Sequence, residues 1–150
     1  MGNDSSSAVS QTGPSMGEIT DILRRHGITS TLQRVEIAQI LLAKKAHYSA
    51  EQVLDMVNHG RDVVSKATVY NTLKLFAEKG LVKEIFADPA KVFFEPKTTE
   101  HPHFFNEITG ELIDIDPELV KIESLPEAPA GCHVRGVDVI IRIRNTENRG

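Results

Sequence analysis

The sequence has one cysteine, Cys132, and no tryptophan. A single thiol excludes an intramolecular disulfide framework and any structural zinc site of the four-cysteine kind, because both need sulfur ligands the chain lacks. No apolar run approaches the roughly 20 residues that cross a bilayer. The first residues, MGNDSSSAVSQTGPS, are too small and polar for a signal peptide, so the expected setting is cytoplasmic, with no membrane partner. The excess of one sign of charge is also small, with 17 Lys/Arg against 21 Asp/Glu. The net charge of −4 counts against a nucleic-acid partner if only the sum is read. Its distribution says more. Residues 17–100 carry 12 Lys/Arg against 11 Asp/Glu, whereas residues 101–150 carry 5 against 9, so the acidity sits in the last third and the chain is divided.

A chain of 150 residues suffices for one ordinary domain or two small ones. Residues 1–16, without periodic apolar positions, read as a disordered arm. Four helical segments follow. Gly17 to His26 places Ile19, Ile22 and Leu23 on one face and stops at Gly27. Thr31 precedes LQRVEIAQILLAKK, whose apolar residues nearly encircle it, the pattern of a central buried helix. SAEQVLDMVNHG opens with Ser49 and has Gln52 three positions on, a capping box. SKATVYNTLKLFAEKG has Ser65 as its N-cap and Gly80 as its stop. The glycines after His26 and His59 make helix ends of both histidines, where a cation suits the dipole.

The period then changes. LVKEIFADPAKVFFEPK reads as a β-hairpin turning at Asp88, Pro89 and Ala90. Short helices followed by such a hairpin are the layout of a winged helix-turn-helix. FFNEI, ELIDID and VRGVDVIIRIR alternate like strands, with Val137, Val139, Ile141 and Ile143 on one face and Arg142 and Arg144 on a solvated or dimer-edge face. About 50 residues make too small a core to stand alone, so this half is expected to fold by pairing with a second copy.

Two motifs carry chemistry. In the fourth helix, Val69, Leu73, Phe76 and Ala77 face inward, and Ala67, Tyr70, Asn71 and Lys74 lie opposite. A small residue, an aromatic ring, an amide and a cation on one face suit double-stranded DNA: Tyr70 against thymine methyls, Asn71 on adenine, Lys66 and Lys74 on phosphates. A polar surface with one stray aromatic is the plain alternative. The second motif is TTEHPHFFNEITG, where alternation puts His101 and His103 on the same side of an extended chain, in reach of one metal ion or one planar ligand. An unliganded pair of strand histidines satisfies the same spacing.

HGITSTLQRVEIAQIL, AHYSAEQVL, SKATVYNTLKLFAEKGLVKEI and HPHFFNEITGELIDID together resemble the ferric uptake regulator (Fur) superfamily of metal-responsive transcription factors, over about Gly17 to Asn145. The resemblance implies an α+β fold, an N-terminal winged helix-turn-helix over 17–97 followed by a small C-terminal α/β dimerisation domain over 98–150. It implies a homodimer on AT-rich palindromic operators, adds Arg34 to the phosphate contacts, and makes the chain no enzyme. ATVYNTL, TTEHPHFF, GELIDID, LPEAPAG and VDVIIRIRN look most like the iron response regulator (Irr) branch, which implies control of iron and haem metabolism. The matching inter-domain metal ligands are His47, Glu95, His101 and His103, a set suited to Fe, Mn or Zn. His101 and His103 are also the candidate haem ligands, with Phe104 and Phe105 as apolar neighbours.

The departures carry information too. The Cys-X-X-Cys pair of ordinary Fur proteins is replaced by Asn106 and Thr109, which removes the zinc-thiolate site and counts against zinc-uptake and peroxide-sensor readings. Pro102 stands between the histidines, and Lys121 falls where a second sensing site has a helical glutamate, so that site is lost. No Cys-Pro haem motif is present, and Thr29 replaces a basic residue aimed at the minor groove. The alternatives are a metal-only Fur-type repressor, a metalloenzyme with Glu95 activating water on a metal held by His47, His101 and His103, and a protein-only adaptor.

Overall fold

The computed structural model describes residues 13–61, 63–96 and 100–147. Most of the expected N-terminal arm, residues 1–12, lies outside the described residues. The chain divides into two compact units, one of Met1–Glu84 with Phe94–Lys97, the other of Ile85–Phe93 with Thr98–Gly150.

The first unit holds four helices, α1 Met16–Arg25, α2 Leu32–Leu42, α3 Ala50–Asn58 and α4 Lys66–Glu78. Each begins where a side-chain oxygen meets the otherwise unpaired amides of a first turn. Ser15, Thr31, Ser49 and Ser65 accept from the backbone N–H of Glu18, Arg34, Gln52 and Thr68. At α3 the Gln52 side chain returns a bond to the Ser49 amide, completing the expected capping box. α1 and α4 end as glycine dictates, with Gly27 and Gly80 at φ 72° and 77°. α3 ends at the same spacing from Gly60, φ 75°, but its cap residue His59 is itself left-handed, φ 46°. His26 caps α1, with Nδ1 2.8 Å from the Ile22 carbonyl oxygen.

Apolar side chains from all four helices close the core: Ile19, Leu23, Ile37, Leu41, Val53, Val69, Leu73 and Phe76 are completely buried. α2 is the central helix its pattern predicts, except in its first turn, where Leu32 stays 67% exposed. Strand β1, Tyr48–Ser49, which the sequence pattern did not reveal, joins the hairpin strands β2, Val82–Asp88, and β3, Lys91–Pro96, in the order β1-β3-β2. The hairpin turns at the expected place, with the Ala90 amide donating to the Asp88 carboxylate at 2.8 Å.

In the second unit β4, His103–Asn106, is the middle strand, with β5, Leu112–Asp114, antiparallel on one side and β6, Ile140–Ile143, parallel on the other. Its core gathers Ile85, Ala87 and Phe93 from the hairpin with Phe105 and Leu112, and Ile140 packs against them. The alternating pattern of VRGVDVIIRIR predicts a longer strand than forms. β4 offers only four residues of ladder, pairing His103 with Ile140 through Asn106 with Ile143, and bonds from the His103 amide to the Val139 carbonyl and from the Glu107 amide to the Ile143 carbonyl flank it. Lys121 lies in no helix; a short 3-10 turn, Pro117–Leu119, precedes it and no regular element covers 120–139. Leu119, just before that stretch, and Ile122, Leu125 and Val134 within it are at least half exposed.

Where the family pattern has its first cysteine, Asn106 forms a polar clasp. Its amide donates to Asn145 Oδ1 at 2.6 Å, and its own oxygen accepts from the amides of Ile108 and Thr109. Arg144 adds an ion pair to Glu107 at 2.9 Å. The clasp ties the end of β6 to the turn that joins β4 to β5. Asn106→Ala strands two backbone amides and the Asn145 carbonyl, so we expect it to lower the free energy of unfolding by about 1–3 kcal/mol. Urea denaturation measures this, and an unchanged midpoint refutes the clasp.

Candidate functional site

Two groups of ligating side chains are built, one in each unit. In the first, His47 stands just before β1 and Glu95 on β3, with a ligating nitrogen and a carboxylate oxygen within 4.8 Å of each other. Glu95 is only 6% exposed. A carboxylate so buried is retained where it is paired, hydrogen-bonded or holds a cation.

In the second unit His101 and His103 lie on one side of the chain, as alternation requires, with ring centroids 4.5 Å apart. Both face Asp114, whose Oδ1 lies 3.1 Å from His101 Nε2 and 3.2 Å from His103 Nε2. Asp114 is a partner that sequence reasoning missed. The signal was available: folding HFFNEITGELID about its turn pairs His103 with Asp114 across the β4–β5 ladder. Pro102 donates no hydrogen, but its carbonyl accepts from the Ile115 amide at 2.9 Å and fixes the approach of the two strands. His103 is 2% exposed, so its ring is set by packing before any ligand arrives. Imidazoles and carboxylates without thiolate suit Mn, Fe or Zn.

The side chains of α4 divide largely as periodicity predicts, with Ala77 half-buried. Val69, Leu73 and Phe76 are buried; Ala67 and Asn71 are exposed, and Tyr70 is 46% exposed. Lys74 Nζ stands 5.8 Å from the Tyr70 ring centroid and 3.4 Å from Glu84 Oε1. Lys66 lies 3.9 Å from Glu51, and Arg34 Nη1 donates to the Thr29 carbonyl at 2.8 Å. Surface ion pairs of this kind are worth about 0–1 kcal/mol, so a phosphate can displace them. The Asn58 side chain donates to the Val64 carbonyl at 2.9 Å and accepts from its amide at 2.8 Å, pinning the turn between α3 and α4. Among the described residues, no helix is long and apolar enough to cross a membrane.

Comparison with known proteins agrees with this geometry. The model of the ferric uptake regulator family matches residues 25–141. The chain is 33% identical over 123 residues to the peroxide operon regulator of Bacillus subtilis (strain 168), covering 81% of each chain. It is 30% identical over 118 residues to the peroxide-responsive repressor PerR of Staphylococcus epidermidis, covering 78% of this chain and 75% of that one. Among solved structures, the ferric uptake regulator of Pseudomonas aeruginosa with manganese is similar at a TM-score of 0.66 and 32% identity, over 85% of this chain and 98% of that one. The fold is the expected winged helix-turn-helix with a C-terminal α/β dimerisation domain, and the family's members are dimeric DNA-binding regulators rather than enzymes. With a winged helix that presents a tyrosine and an amide, and a histidine–carboxylate group on the strand that follows it, the chain belongs to the ferric uptake regulator family.

Proposed function

We propose that this protein is a cytoplasmic repressor whose hold on AT-rich palindromic operators is set by one divalent ion, ligated by His47 and Glu95 from the first unit and by His101, His103 and Asp114 from the second. The observation that carries this reading is the donor set: two preformed groups of imidazoles and carboxylates, each with ligand atoms already near one another. An ion held by ligands from both units restricts their arrangement, so the entropic cost of presenting two winged helices to successive half-sites falls before DNA arrives. Occupancy therefore raises operator affinity. The solved relative that carries manganese makes Mn a natural first probe.

The Irr resemblance supports a second reading, in which the signal is haem and His101 and His103 are its axial ligands. The ring geometry favours the bare ion. Both Nε2 atoms converge on one oxygen of Asp114, whereas two axial ligands of a haem approach the iron from opposite faces. Phe105 is 4% exposed and committed to the core. Loading the purified protein with Mn²⁺ and recording its EPR spectrum tests the reading, with a haem absorption titration alongside. We expect one ion per chain in an oxygen and imidazole environment, and no Soret shift that depends on the histidines. A haem spectrum lost in the His101→Ala/His103→Ala double variant, with no Mn²⁺ bound by the wild type, overturns it. In the same assay, Asp114→Asn is expected to weaken Mn²⁺ binding by roughly 10–100-fold, as loss of a carboxylate that ligates or orients ligands does.

A further inference from the structure

The tip of the wing hairpin, Ile85–Phe93, belongs to the second unit, while the hairpin's base, 82–84 and 94–97, belongs to the helical unit. One face of β3 thus carries Phe93, in the second unit's core, and, two residues on, Glu95. To this packing is added an arginine whose place in the strand alternation predicts a solvated or dimer-edge face. Arg142 Nη1 on β6 donates to the carbonyl of Ala87 at 2.8 Å, and its guanidinium lies 5.8 Å from the ring centroid of Phe105 on β4. Ala87 is 1% exposed, so its carbonyl is sheltered from bulk water. Phe105 in turn meets Phe93 at a centroid distance of 6.4 Å.

Shallow grooves of about 370 and 450 Å³ run along the hairpin tip, and Arg142 lines both. Besides the apolar packing of Ile85, Ala87 and Phe93 against Phe105 and Leu112, the tip is thus held by a polar tie that bridges open surface. An arginine suits that task, since its planar group donates to a carbonyl while stacking on a ring. Phe105 follows His103 by two positions on β4, on the same face of the strand.

We propose that Arg142 is a positioning residue that couples the sensing strand to the wing, so that metal occupancy at the histidines reaches the DNA-binding unit through the hairpin. Arg142 itself touches neither metal nor DNA. It adds a polar tie between the wing tip and β4 and β6, and without it the tip keeps only its packing against the strand that carries His103 and moves more readily relative to it. The proposal rests on the metal-responsive reading above.

The test measures three quantities on the full-length wild type, Arg142→Ala and Arg142→Lys: Mn²⁺ affinity, operator affinity with and without Mn²⁺, and amide hydrogen exchange over residues 86–91. For Arg142→Ala we expect Mn²⁺ affinity and metal-free operator affinity within twofold of wild type. The metal-induced gain in operator affinity should fall at least fivefold, and exchange at the hairpin tip should rise. Arg142→Lys, which keeps one donor but loses the planar stack, should fall between. Full retention of the metal-induced gain in Arg142→Ala overturns the proposal, and so does loss of Mn²⁺ binding itself, which would make Arg142 part of the site. A wild type that binds Mn²⁺ without any gain sinks the metal-responsive reading and the transmission role together. The exchange data then decide separately whether Arg142 ties the wing.

Discussion

His103→Ala is expected to lower Mn²⁺ affinity by at least about 100-fold, because even the outer partners of metal ligands cost roughly 10–100-fold when removed. The effect should exceed that at any other single histidine. His103 is the most enclosed candidate ligand, 2% exposed, in the middle strand of its sheet and directly opposite Asp114. Its ring is therefore pre-aimed, and its loss cannot be made good by a neighbouring side chain swinging in. Removing a buried ring also leaves a cavity, so His103→Gln serves as a companion that retains volume and a polar tip but supplies a poor metal ligand. Both variants should lose Mn²⁺ while keeping metal-free operator binding. Calorimetric titration measures the loss, and wild-type affinity in either variant removes His103 from the site.

Tyr70→Ala is expected to cost about 1–3 kcal/mol of operator affinity and to relax specificity for A·T pairs, as removal of a direct base interaction does. The ring is 46% exposed on a helix whose opposite face is sealed into the core, so truncation leaves the fold intact. Lys74→Ala provides the contrast. Removing a cation from a phosphate should weaken all sequences alike and flatten the salt dependence by about one unit of slope. Binding to matched and scrambled duplexes over a salt series separates the two. If Tyr70→Ala and Lys74→Ala behave identically, α4 does not read bases through Tyr70.

How far the sequence could be read depended on whether the signal was local. Helix starts were legible because a cap is a contact between residues three apart, as Ser49 with Gln52 shows, and the wing turn was legible because Asp88 bonds to the amide of Ala90. The face of α4 followed from its period alone. What escaped depends on pairing between distant residues. Asp114 becomes a partner of both histidines only when β5 folds back on β4, and Arg142 finds Ala87 across 55 positions of chain. Alternation predicts too long a β6 because it records where a strand could run, whereas the ladder ends where β4 ends. Asn106 was legible only as an absence, the missing cysteine of the family pattern. Its bond to Asn145, 39 residues away, reveals what stands in that place.

The central claim is that one ion, held by ligands from both units, sets operator affinity. It is tested most directly by titrating Mn²⁺ into chelator-stripped protein while following the fluorescence anisotropy of a labelled AT-rich palindromic duplex. We predict that affinity rises by at least about tenfold, a change of 1.4 kcal/mol, and saturates at one ion per chain, with no rise in the His101→Ala/His103→Ala double variant. Operator affinity that stays flat while the protein fills with Mn²⁺ would contradict the account.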